Sequence, residues 1–165
     1  MRISARHWVG LCAALLAVPA VALATAAAEA SAFLSAALQA DDLTRATLAQ
    51  RLGDAPIVAA LAQHEDGIAR LAAVRCSPHL REPERALSSL AEMAAGRDPE
   101  LAPAAARRAR TIAQQLAIAQ AVHEDRELVT TAHSSLQVLS DSPHALREVR
   151  LNAGQAAFLL ERTAP

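Results

Sequence analysis

The chain contains no lysine and no tyrosine, and it has almost no aromatic residues at all. Trp8 is the only tryptophan, and Phe33 and Phe158 are the only phenylalanines. Without aromatic faces there are no stacking platforms for bases or sugar rings. All sixteen basic residues are arginine, set against seventeen acids, for a net charge of -1. Nucleic-acid binding needs a surplus of clustered cations to displace counterions, and this chain has no surplus. Five glycines leave little material for loops that cradle phosphates or dinucleotides. No Gly-x-Ser-x-Gly, His-Glu-x-x-His, phosphate-loop or Gly-rich dinucleotide pattern occurs. These absences predict a protein that is not an enzyme, takes no cofactor and binds no nucleic acid.

The residues that are present point to helices. Hydrophobic residues make up 53% of the chain, but much of that share is alanine. Alanine has the highest helix propensity. Strands favour β-branched and aromatic side chains, which are scarce here. A core of Ala, Leu, Val and Ile requires helices that approach closely, because alanine fills little space. The composition therefore predicts an all-α fold.

The first residues read as a secretory leader. Met1 to His7 carries two arginines and no acid, and Trp8 to Ala24 is an uncharged apolar run ending in small residues. Ala22-Leu23-Ala24 fits the A-x-A cleavage pattern, with cleavage after Ala24, and Ala28-Glu29-Ala30 is a second candidate. The alternative is an uncleaved anchor, but the run is short for spanning a bilayer and Pro19 interrupts it near its end. The expected location is periplasmic or secreted, with no membrane contact after cleavage. Cleavage would leave fourteen arginines against seventeen acids, a net charge of -3. Cys12 belongs to the leader, and Leu11 before it does not suit a lipid-attachment cysteine. Cys76 would then be alone, so no internal disulfide can form. A mature domain of about 140 residues is long enough to rely on its core.

The body divides into short helical segments near 31–40, 42–52, 56–64, 67–80, 84–96, 99–121, 125–140 and 144–162. Between them stand Asp41-Asp42, Gly53-Asp54-Ala55-Pro56, His64-Glu65-Asp66-Gly67, Glu82-Pro83, Gly96-Arg97-Asp98-Pro99, Glu124-Asp125 and Asp141-Ser142-Pro143. Asp or Ser before Pro is a helix-start signal: the side chain caps an orphan amide, and proline has no amide to leave unpaired. Apolar steps of three and four recur. One stripe is Leu87, Leu90, Ala91 and Ala94, and another is Leu101, Ala105, Ile112, Leu116 and Ala119. A third is Leu128, Ala132, Leu136 and Leu139, and a fourth is Leu146, Val149, Ala153, Ala156 and Leu160. Short connections force successive helices antiparallel. The predicted division is a leader over 1–24, N-terminal capping helices over 25–54 and a repeat domain over 55–165.

Three stretches resemble one another: Ile68 to Ala73 after Glu65-Asp66-Gly67, Leu101 to Ala106 after Asp98-Pro99-Glu100, and Val149 to Gly154 beyond Asp141. The first two are 33 residues apart and the next two 48. Helix pairs recurring at a period of a few tens of residues mark a helical solenoid. At these residues the chain resembles a HEAT-repeat protein, in which an Asp-bearing turn leads into a second helix opening Val-Arg-x-x-Ala-Ala. The best unit runs from Leu87 to Leu116. It departs from the pattern at Ala102, where the family has Arg, and so does the first unit at Ala69. Val149-Arg150 restores the Arg, but Gly154 replaces the second Ala. The resemblance spans roughly 55 to 162. It implies a short α-solenoid of antiparallel hairpins with a binding surface and no catalytic residues. A plain helical bundle built on the same stripes is the alternative architecture.

Three groups of side chains are candidate sites. Cys76 and His79, with His64 as a third ligand, would form a metal site in an exported protein, although metal sites usually take three or four ligands and no Cys-x-x-Cys is present. The bland reading is a buried thiol and a surface imidazole. His64-Glu65-Asp66 and His123-Glu124-Asp125 repeat one tripeptide before helices, and their carboxylates suit caps rather than acid–base pairs. Arg107, Arg108 and Arg110 form the densest basic cluster; with Arg85 and Arg97 they would line an edge that meets an acidic partner or a phosphate. The bland reading of this cluster is a solvated face paired with local acids. The function expected from the sequence is an exported scaffold of HEAT-like repeats that binds a protein partner and, through uncapped ends, copies of itself. The alternative is a periplasmic metal-handling or stress-sensing bundle using Cys76 and His79.

Overall fold

The computed structural model describes residues 32–63, 66–119 and 126–162. The leader, its cleavage candidates at Ala24 and Ala30, His64-Glu65, and His123-Glu124-Asp125 lie outside the described residues. The described residues form eight α-helices, with two short 3-10 turns and no strand among them. The fold is all-α.

In chain order the helices are α1 over 32–39, α2 Asp42–Leu52, α3 Asp54–Gln63, α4 Gly67–Cys76, α5 Leu87–Ala95, α6 Leu101–Ala119, α7 Arg126–Asp141 and α8 Arg147–Glu161. Aspartates open three of them. Asp41 accepts the Thr44 amide at 2.7 Å, Asp66 accepts that of Ile68 at 2.9 Å, and Asp98 accepts those of Glu100 and Leu101 at 2.9 Å. Each such cap contributes about 1 kcal/mol. At the end of α2, Gly53 adopts φ 81° and its amide returns to the Ala49 carbonyl at 2.9 Å. A side chain at that φ would be strained, which is why glycine suits this position.

Several boundaries differ from the sequence expectation. The segment expected as 67–80 ends its α-helix at Cys76 and tightens into a 3-10 turn over Ser77–His79. Pro78 has no amide to give the Val74 carbonyl, and its ring crowds that oxygen. The Ser77 hydroxyl donates to it instead, at 2.8 Å. Asp54 stands inside α3 rather than ahead of it, and its carboxylate accepts the Arg81 and Glu82 amides at 3.2 and 3.0 Å. This bond pair ties the start of α3 to the connector before α5. Ser142-Pro143 sits in a turn, closed from the Ala145 amide to the Ser142 carbonyl at 3.4 Å, so α8 begins at Arg147 rather than 144.

From α3 onward one packing rule repeats. α3 packs on α4, α5 on α6, and α7 on α8. Each helix also packs on the one two places along: α3 on α5, α4 on α6, α5 on α7, and α6 on α8. Arg107 of α6 reaches Glu148 of α8, and further along Arg110 reaches Gln155, so α6 and α8 run parallel. α2 departs from the rule by packing on α3, α4 and the 77–79 turn together.

The interior is lined largely by alanine. Ala105, Ala106, Ala109 and Ala113 of α6, and Ala153, Ala156 and Ala157 of α8, are fully buried. The large buried side chains include Ile57, Leu61, Leu87, Leu90, Ile112, Leu136 and Leu160. Small residues allow close approach of the backbones, and the larger ones supply most of the apolar burial. The expected stripes are buried except at their ends: Ala119 and Leu146 are exposed and Leu128 is half-buried. Among the described residues no helix is long and apolar enough to cross a membrane.

Candidate functional site

α6 carries Arg107, Arg108 and Arg110 within a single turn, on a helix with neighbours on both flanks. Arg107 and Arg110 turn toward α8. Arg107 Nη1 lies 2.6 Å from Glu148 Oε1, and Arg110 Nη1 lies 3.0 Å from Gln155 Oε1. The nearest acidic partner of this cluster is therefore on another helix, 41 residues away, and not a local acid. Arg108 sits on the opposite flank, in the field of Asp42, Arg45, Arg75 and Arg107.

Two further arginines complete the site. Arg45 is buried in α2, and three of its bonds are fixed. Its Nε donates to the Ala37 carbonyl at 3.1 Å, its Nη2 to the Ala40 carbonyl, and its Nη1 to Asp42 Oδ1 at 2.5 Å. Arg75, at the end of α4, donates to the Leu38 carbonyl at 2.8 Å. Two guanidinium groups thus serve the last carbonyls of α1 and the turn after it. A helix C-terminus leaves such carbonyls without intrahelical partners, and its dipole favours a cation there.

Arg45, Arg75, Arg107, Arg108 and Arg110 line one groove of about 770 Å³, with Leu71, Pro99, Pro103, Ala104 and Thr111 as its uncharged lining and Glu100 and Glu148 as its acids. Burial lowers the Arg108 pKa from its ordinary value; Asp42 opposes the shift, and Arg45, Arg75 and Arg107 add to it. Arginine remains charged even so. The groove therefore concentrates positive charge in a chain whose net charge is slightly negative.

The other arginines of the sequence cluster lie elsewhere. Arg85 pairs with Glu82 at 2.5 Å, and Arg97 borders a smaller depression of about 260 Å³ with Arg70, Glu92 and Asp98. In that depression the amides of Leu101 and Glu100 hold Asp98 below the usual carboxylate range.

Cys76 and His79 do not line the groove, but both feel the charge of its Arg45 and Arg108. Burial pushes the Cys76 thiol up to about 11, against the pull of Arg45 and Arg108. A thiol in that state is protonated at neutral pH and is a poor nucleophile or metal ligand. His79 Nε2 is buried without a hydrogen-bond partner among the described residues, 4.0 Å from Asp42 Oδ1. Burial lowers its pKa; Asp42 opposes this, and Arg108 and Arg45 reinforce it. Among the described residues no three histidine, cysteine or carboxylate side chains converge as a metal site, and His64 lies outside them.

No family model, curated protein or solved structure matches the chain. The functional reading therefore rests on the groove and on the repeated turns. Sequence nearness does not point to Arg45 and Arg75 as site residues, because they are remote in sequence from the α6 cluster. One signal was present: Arg45 occupies an apolar-stripe position with Ala49 and Leu52, where the helical period calls for a buried residue.

Proposed function

We propose that the chain is an exported, non-catalytic scaffold that binds a protein partner through the arginine groove. The carrying observation is the convergence of five arginines from three helices on one surface bordered by two glutamates. The packing of α2 on α4 and of α4 on α6 holds these groups in place, as a recognition surface requires. The Asp-opened turns before α4 and α6, and packing that links each helix to the one two along, support a HEAT-like α-solenoid. The basic start, apolar run and small-residue site of the leader support export.

The test is site-specific photocrosslinking in the native exported fraction. A crosslinking residue in place of Thr111, on the groove lining, should capture one protein. The same residue in place of Ser134, on the exposed face of α7, should not. Equal capture at both positions, or none at Thr111, contradicts the reading. Cleavage after Ala24 has its own check. Material outside the cytoplasm should have almost no absorbance at 280 nm, since Trp8 departs with the leader. A full tryptophan signal there would show that the leader stays attached.

A further inference from the structure

We propose that the groove binds an acidic peptide segment and that Arg108 takes one of its carboxylates; this deepens, and rests on, the partner-binding reading above. Most of the groove's arginines already have partners. Arg45 is paired with Asp42, and Arg107 with Glu148. Arg75 is bonded to a backbone carbonyl and Arg110 to a side-chain amide, which anchor the guanidinium groups without neutralising them. Among the described residues no hydrogen bond or ion pair engages the Arg108 guanidinium. Arg108 is half-buried, so water screens it incompletely, and its neighbours are mostly of its own sign. The one acid acting on it, Asp42, is already bonded to Arg45, so this partly desolvated cation is incompletely neutralised, and an incoming anion relieves that cost.

The form of the groove favours a peptide over a small anion or a nucleic acid. Its volume of about 770 Å³ falls in the range of about 300–1,000 Å³ typical of sites for drug-sized ligands. Leu71, Pro103 and Ala104 give it an apolar lining that a bare oxyanion would not use. Glu100 and Glu148 lie along it and would repel a continuous phosphate backbone, whereas a peptide can space its carboxylates to avoid them. Guanidinium forks match carboxylates in two parallel hydrogen bonds, a geometry lysine cannot offer.

Labelled hexaglutamate, titrated into the full chain at low ionic strength, is the probe. Hexaglutamine and inorganic phosphate are the competitors. Hexaglutamate should bind, and Arg108→Gln should weaken it about tenfold, the scale of one lost charge-assisted hydrogen bond. Arg97→Gln, outside the groove, should leave binding unchanged. Neither competitor should displace the peptide at matched concentration. Without ligand, Arg108→Gln should melt no lower than the parent chain, because burial and the repulsion of Arg45, Arg75 and Arg107 oppose the charge it removes, with only Asp42 favouring it. Equal hexaglutamate affinity for parent and Arg108→Gln overturns the proposal, as does displacement by phosphate or hexaglutamine. Lost binding accompanied by a lower melting temperature also overturns it, since Arg108 would then be a structural residue. If hexaglutamate fails while Thr111 still captures a protein, only this inference falls. If hexaglutamate binds while no partner is captured, the scaffold reading falls and the groove chemistry stands.

Discussion

α1 and α2 at one end of the molecule, and α5 to α8 at the other, are held by different forces. The C-terminal helices bury continuous apolar stripes, with Leu87, Leu90, Ile112, Leu136 and Leu160 almost wholly removed from water. The first two helices bury little beyond Leu34, Ala37, Ala49 and the side chain of Arg45. Polar bonds do much of the work there, through Arg45 and Arg75 on the carbonyls of Ala37, Leu38 and Ala40. The difference explains where the groove lies. The arginines that fasten α1 and α2 stand beside the arginines of α6, so five arginines gather at the seam between the two regions. The same two side chains both fasten α1 and α2 and line the groove.

The largest expected effect comes from breaking the apolar side of this comparison. Ile112→Ala should cost about 2–5 kcal/mol, because a fully buried side chain leaves a cavity. Chemical denaturation should show the loss as a global shift in midpoint. Arg45→Met should cost about 2 kcal/mol by leaving two carbonyls without their charged donor, and the damage should be local. Hydrogen exchange should quicken in α1 and α2 and stay unchanged in α7 and α8. Uniform quickening would show that the two regions unfold as one unit.

Smaller changes sharpen the comparison. Gly154→Ala should stabilise the chain by up to about 1 kcal/mol through helix propensity. A Cβ there meets Ser140 Cβ at 3.4 Å, an ordinary contact. A lower melting temperature for Gly154→Ala would mean that α7 and α8 cannot yield even a few tenths of an ångström. The smallest effect concerns pH. His79 has a folded pKa below its ordinary 6.5, so the folded state favours the neutral imidazole. Its contribution is complete above pH 6.5 and is lost as pH falls through that value toward the folded pKa. Exchange in α2 should therefore quicken on mild acidification, and His79→Gln should flatten that response.

Much of the architecture was legible before any coordinates. Stripes such as Leu87, Leu90, Ala91 and Ala94 marked a buried face because helical periodicity needs only local sequence, and all four are buried. Stripe ends were read less well: Leu146 precedes α8 as its N-cap residue and remains exposed. Pro78 and Pro143 moved helix boundaries through missing amides and ring crowding that apolar patterns do not record. The α6 half of the groove was legible as a run of arginines. The other half was not, because Arg45 and Arg75 join it only through tertiary packing. Arg85 and Arg97 are near it in sequence, yet Arg85 is held by Glu82 and Arg97 faces a separate depression.

The most direct test of the groove is an NMR titration of the arginine side-chain Nε–Hε signals with hexaglutamate. Signals of Arg108, Arg107 and Arg110 should shift together and saturate, while those of Arg85 and Arg97 stay in place. Equal shifts across all the arginines, or movement confined to Arg85 and Arg97, would contradict the account.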